Sequence, residues 1–312
     1  MSSFARRRLI DATTVLLIAM ATLLAGCGSK EPAPTAEPAA QAAAAVADGA
    51  PRIATSADGV HVQYRVYGKG EPTLVLVHGW SCDSTYWNAQ VEALRDKYTV
   101  VTVDLAGHGA SGSNRTDWTM ARYGDDVAAA VADLPSQQLI LIGHSMGGPV
   151  VIEAAQRLRG RVLAAIGVDT FKSVGSPPPP SEQVAALVGN LERDFIGTTR
   201  DFVAKTFFTK DADPQLVNKI AMDMAAGPPD VAIASMRSLA TWDPGKGLTV
   251  PIIAINADLG LLTDDARIRS VWPTFRSVTM PNTGHFLMME EPQAFNAVLQ
   301  EQIADLQQPS AP

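Results

Sequence analysis

The chain has 312 residues, 46% hydrophobic and 18% charged, with two cysteines and a formal net charge of −7. This composition is close to the globular average, and it excludes a collagen, a disordered tail, a disulfide scaffold and a multi-span membrane protein. The acidic balance argues against a nucleic-acid partner, because phosphate binding needs clustered Lys and Arg.

The chain opens with Arg6-Arg7-Arg8, followed by an apolar run from Val15 to Ala25. That run is far shorter than the roughly 20 residues needed to cross a bilayer, so the segment reads as an export signal. It ends in Leu24-Ala25-Gly26-Cys27, which resembles the lipobox of bacterial lipoproteins. The resemblance implies removal of residues 1–26, acylation of the Cys27 thiol and, with Gly28 rather than Asp next, an outer-membrane destination. Residues 27–52 carry Pro32, Pro34, Pro38 and the run Ala42 to Ala45, with Val46 the one bulky apolar residue before Pro51. Such a stretch buries too little surface to offset its ordering entropy, and a tether is expected. Cys82 is then the one free thiol of the mature chain, so no intramolecular disulfide is expected.

From residue 53 the pattern alternates strands and helices. Val60 to Val66 is an opening strand with alternating character, in a leading hairpin expected to be antiparallel, and Thr73 to Val77 is continuously apolar, as in a strand covered on both faces. A helix over Ser84 to Lys97 precedes a buried strand, Tyr98 to Val103, and the glycine-rich loop Gly107 to Gly112. A helix at Asp125 to Leu134 leads to a strand at Leu139 to Ile142, and a helix at Gly147 to Leu158 leads to a strand at Val162 to Val168. After a long interval come a strand at Val250 to Ile255, a helix at Ala266 to Val271, a strand at Arg276 to Met280 and a closing helix from Pro292 to Leu306. This alternation predicts an α/β fold with a doubly wound, mainly parallel sheet.

Residues 172–247 interrupt the alternation with Pro177 to Pro180 and then helical stretches rich in Ala, Val, Met and Phe. They are expected to form a helical insertion, leaving 53–171 and 248–308 as the core. The four prolines predict a stiff extended entry.

The chemistry centres on Gly143-His144-Ser145-Met146-Gly147, between an apolar strand and a helix pattern. This G-x-S-x-G arrangement is a nucleophile elbow, whose sharp turn strains the serine backbone and demands tiny neighbours two residues either side. A serine there sits at a helix N-terminus, where free amides favour developing negative charge. It needs a base, and five histidines are available. His61 precedes the sheet, His78 and His108 read as loop-organising residues, and His144 adjoins the serine on a tight turn. His285, after the last strand, stands in the order Ser…Asp…His that this elbow expects.

His78-Gly79-Trp80, Asp104-x-x-Gly107-x-Gly109-x-Ser111, the elbow and Gly284-His285-Phe286 together resemble the alpha/beta-hydrolase superfamily, from about Ile53 to the C-terminus less the insertion. The resemblance implies that residues 172–247 form a cap over the active site after the sixth strand, and that the backbone amides of Trp80 and Met146 form an oxyanion hole. The acid departs from the common pattern. Asp258 falls two residues early for the position after the seventh strand, whereas Asp169, in Gly167-Val168-Asp169-Thr170, resembles an alternative position after the sixth. Asp169 is preferred, Asp258 is the alternative, and Asp264 and Asp265 remain open. Asp104 reads as structural.

The expected activity is a serine hydrolase of carboxylic esters or related acyl compounds, working through Ser145, His285 and Asp169 with no metal or cofactor. Trp80, Met146, Phe171, Met288 and Met289 beside the catalytic positions suggest a small apolar acyl substrate. Two alternatives stay open: a cofactor-free dioxygenase or perhydrolase of the same fold, and a non-catalytic surface lipoprotein that uses the pocket for binding.

Overall fold

The computed structural model describes residues 47–245 and 248–308. The expected signal, the acylation site Cys27 and nearly all of the expected tether lie outside the described residues.

Strands β1 (Pro51–Thr55), β2 (His61–Tyr67), β3 (Thr73–Val77), β4 (Thr99–Val103), β5 (Leu139–His144), β6 (Val162–Val168), β7 (Ile252–Ala257) and β8 (Phe275–Met280) form one sheet in the order β1-β2-β4-β3-β5-β6-β7-β8. The β1–β2 hairpin is antiparallel, β2 runs antiparallel to β4, and every later pairing is parallel. Strand β1 starts at Pro51, two residues before the expected core, because Arg52 pairs in register with Tyr64. The attachment begins earlier still: Asp48 pairs with Arg95, and the Gly49 amide donates to the Val66 carbonyl at 2.8 Å.

Strands β3 and β5 are buried along their whole length, which is why their sequences are unbroken apolar runs. The flanking helices are α1 (Asn88–Leu94, after a short 3-10 helix at Ser84–Trp87), α2 (Met120–Ala130), α3 (Gly147–Arg157), α8 (Asp265–Arg269), α9 (Leu287–Glu290) and α10 (Pro292–Gln307). Helix α2 begins five residues before the expected Asp125. The Thr119 hydroxyl caps it by accepting the Arg122 amide. Gly124 within it is there for packing: a Cβ would lie 2.6 Å from that of Glu153, so α2 and α3 cross closely at this point. The one-turn helix α9 is too short to leave a periodic signal.

The interval between β6 and β7 holds α4 (Ser181–Arg193), α5 (Phe195–Thr206), α6 (Pro214–Ala225) and α7 (Pro229–Ala240). These helices lie against the loops at the C-terminal ends of the strands. The Trp80 indole donates to the Ala232 carbonyl at 2.7 Å, the Trp80 and Phe195 rings are 6.3 Å apart, and the His285 amide donates to the Phe207 carbonyl at 2.6 Å.

A buried charge cluster ties α2 to the segments that follow β1 and β4. Arg115 places Nη2 2.5 Å and Nη1 3.1 Å from the Asp126 carboxylate, which also accepts from the Ser56 hydroxyl and the Ala106 amide. The Arg115 and Asp126 side chains are 2% and 0% exposed. Removing one partner of so buried a pair leaves an uncompensated charge. Arg115→Met is therefore expected to destabilise the protein by about 3 kcal/mol, read as a lower urea midpoint at unchanged slope.

Candidate active site

Among the described residues, five that are not glycine have a left-handed backbone: Ser81 (φ 53°), Ser145 (51°), Asp169 (45°), Phe171 (67°) and Asn282 (59°). Each follows the C-terminal end of a strand, β3, β5, β6 or β8, so the backbone strain is gathered at one edge of the sheet. Ser145 is the elbow. Its amide donates to the Val168 carbonyl of the neighbouring strand at 2.9 Å, and α3 starts two residues on. A Cβ at Gly143 would lie 2.1 Å from the Gly147 carbonyl oxygen, and one at Gly147 would lie 2.5 Å from that of Val77, so the turn closes only with glycine at both places.

His285 follows β8, and its Nδ1–H donates to Asp169 Oδ2 at 2.6 Å. The other carboxylate oxygen of Asp169 accepts the Ala257 amide at 3.0 Å and lies 2.7 Å from the Lys172 ammonium. Burial pushes the Asp169 carboxyl up, but the hydrogen bond and charge of His285, together with Lys172, outweigh it and hold it below the usual range. The other acids lie elsewhere. Asp258 is exposed and accepts the Asn282 amide at 3.0 Å, Asp264 caps α8, and Asp265 accepts from the Ser277 hydroxyl at 2.6 Å. Asp104 braces its own loop through the Ala110 and Ser84 amides.

The His285 loop is held from three sides. Glu290 accepts the Gly284 and Phe286 amides at 2.9 and 3.0 Å. Phe207, at the end of α5, stacks its ring 4.3 Å from the imidazole at 28°. His144, which adjoins the serine, donates from Nε2 to the His285 carbonyl at 2.9 Å. Burial pushes the His144 ring down to about 3, so it acts as a neutral donor and not as a base. His78 donates from Nδ1 to the Gly79 carbonyl and accepts the Leu105 amide at Nε2, fixing the loop on which Trp80 sits. His108 bonds the Ala106 carbonyl.

A Cβ on Gly79 would lie 3.2 Å from that of Ser145, so the loop carrying Trp80 passes directly beside the serine. Neither the Trp80 nor the Met146 amide has a backbone partner, and the Ser145 hydroxyl makes no hydrogen bond, among the described residues. Cys82 donates its thiol to the Trp80 carbonyl, and burial pushes the thiol up, away from any reactive thiolate.

From Ser145 a cavity of about 970 Å³ runs beneath the proline segment, lined by Met146, Phe171, Val174, Leu239, Trp242 and Val271. Met146 and Phe171 were expected there. Trp80 and Met288, as buried as those two, do not line it. Sequence reasoning missed Lys172, Glu290 and Phe207. Lys172 stands three residues after Asp169, a spacing that implies contact on a helix but not in a loop.

Residues 74–298 match the alpha/beta hydrolase family model. The chain is 27% identical over 227 residues to an uncharacterised protein of Mycobacterium tuberculosis, with 70% of this chain and 65% of the relative covered, so it spans just under two thirds of that relative's length. It is 28% identical over 251 residues to the pimeloyl-[acyl-carrier protein] methyl ester esterase of Yersinia enterocolitica, covering 76% of this chain and 95% of that one. Among solved structures, a thermophilic esterase from Thermogutta terrifontis superposes with a TM-score of 0.72 at 23% identity, covering 83% of this chain and all of that one. With the family model matched over most of its length, the chain belongs to the alpha/beta hydrolase family.

Proposed function

We propose that the protein is a serine hydrolase of carboxylic esters, with Ser145 as nucleophile, His285 as general base and Asp169 as the acid that orients it. The observation that carries this reading is the 2.6 Å bond from His285 Nδ1 to Asp169, at the strand ends beside the left-handed Ser145. With Nδ1–H committed to the carboxylate, Nε2 is left as the basic nitrogen. It takes the Ser145 proton as Oγ attacks the ester carbonyl carbon. The carbonyl oxygen gains the charge and is met by the amides of Trp80 and Met146, the latter at the N-terminus of the eleven-residue α3. Collapse breaks the bond to the alcohol, which leaves with the proton from His285. Water, deprotonated by the same nitrogen, then attacks the acyl-enzyme, releases the acid and restores Ser145.

The cavity favours uncharged, apolar substrates. Among the described residues that line it, the one cation, Lys172, is spent on Asp169 and on the Ala257 and Leu259 carbonyls. The relative named a methyl ester esterase supports ester chemistry in particular. A panel of p-nitrophenyl esters tests the reading: neutral acyl groups are expected to be hydrolysed, with kcat/KM falling at least tenfold for a succinyl ester of similar size. Absence of hydrolysis across the panel contradicts it.

The same proposal carries the chain as a lipoprotein anchored through Cys27 in the outer membrane, on the strength of Leu24-Ala25-Gly26-Cys27. Several acyl chains on one residue give stable anchoring, at about 0.8 kcal/mol per buried methylene. Cys27→Ala is then expected to abolish incorporation of labelled palmitate.

A further inference from the structure

We propose that Lys172 is a positioning residue for the Asp169–His285 pair, setting through its charge the pH at which His285 gains its proton. This rests on the reading of Asp169 and His285 given above. The Lys172 ammonium lies 2.7 Å from Asp169 Oδ1, 3.0 Å from the Ala257 carbonyl and 3.1 Å from that of Leu259. Those three acceptors account for its three protons. Its side chain is 12% exposed and that of Asp169 is 9% exposed, so solvent screens the pair little.

The carboxylate is divided between an ammonium and an imidazole. Oδ1 goes to the ammonium and the Ala257 amide, which leaves Oδ2 directed to the imidazole. The segment carrying Lys172 is itself pinned, since Arg267 donates to the Lys172 carbonyl and to the Ser176 hydroxyl, both at 2.5 Å. Asp169, held at φ 45°, is thus locked on both oxygens.

The charge of Lys172 has two consequences. After the larger effect of His285, it adds to what keeps the Asp169 carboxylate ionised, where burial alone would favour the neutral acid. It also shares the negative charge that the carboxylate would otherwise direct wholly at His285, since ammonium and imidazole sit on its two oxygens. Two other titratable groups face the pair, His144 from the elbow and Glu290 from α9, while the α5 contact, Phe207, is uncharged. Among the described residues, Lys172 is the one that places a full positive charge on the carboxylate.

A purely mechanical role, stapling the end of β6 to the end of β7, would need the hydrogen bonds but not the charge. Two variants separate these roles. Lys172→Met removes both, whereas Lys172→Gln keeps an amide donor for the carbonyls and removes the charge. The His285 imidazole C–H resonance is followed by NMR against pH in the purified protein and each variant, with assignment from a His285→Asn sample. The expected result is a midpoint raised by about half a unit to one unit in both variants. Where the ester assay works, the acid limb of kcat/KM is expected to move up by the same amount. If Lys172→Met fails to fold, Lys172→Gln alone carries the test. A midpoint within about 0.2 units of the parent in the Gln variant overturns the proposal, whatever happens to thermal stability. Because the titration needs no turnover, a protein that hydrolyses no ester would refute the proposed function without removing the test of Lys172.

Discussion

Ser145→Ala is expected to lower kcat for ester hydrolysis by a factor on the order of 10⁵–10⁶ while leaving KM and folding nearly unchanged. The elbow has no other side chain that can attack. Met146 is buried and unreactive, and His144 is committed to the His285 carbonyl. Alanine removes a hydroxyl that forms no hydrogen bond among the described residues, so the fold loses little by the change. The left-handed backbone of Ser145 is set by the glycines around it and by the bond from its amide to Val168, both of which survive. A drop of less than about tenfold, with the variant folded, would mean that the hydrolysis takes place elsewhere.

The second large effect separates the two candidate acids. Asp169→Asn keeps shape and volume but replaces the acceptor facing His285 with an amide able to present its NH2. The imidazole then favours the tautomer with its proton on Nε2, which cannot receive the serine proton, and a loss on the order of 10⁴ in kcat is expected. Asp258→Asn is expected to change kcat by less than about threefold, since this exposed side chain accepts the Asn282 amide and an amide oxygen can do the same. Steady-state kinetics on one nitrophenyl ester, with circular dichroism of each variant, checks both. Equal losses, or a larger loss at Asp258, would contradict the assignment.

Much of the sheet was legible because its strands are covered on both faces. Leu139 to Ile142 and Thr73 to Val77 have no polar residue facing solvent, and such short apolar runs between polar, proline or glycine flanks leave little choice of structure. Helix α2 starts five residues before the expected Asp125, at the Thr119 cap, and takes Gly124 into its body at a close-packing point against Glu153. The elbow was readable for the opposite reason: its constraint is local, with strand, turn and helix adjacent in sequence. The environment of His285 was not. Glu290 and Lys172 are near neighbours in sequence of His285 and Asp169, but their contacts depend on loop conformations that carry no period. Phe207 reaches His285 from 78 residues away through the insertion. No pattern within a window connects those two residues.

The central claim is that Ser145 is an activated nucleophile in the folded protein. It is tested most directly by treating the purified protein with a fluorophosphonate probe and mapping the adduct by peptide mass spectrometry. The expected result is a single stoichiometric adduct on Ser145, lost on heat denaturation before treatment and slowed strongly in Asp169→Asn. A folded protein that leaves Ser145 unlabelled, or that takes the probe at another residue, would contradict it.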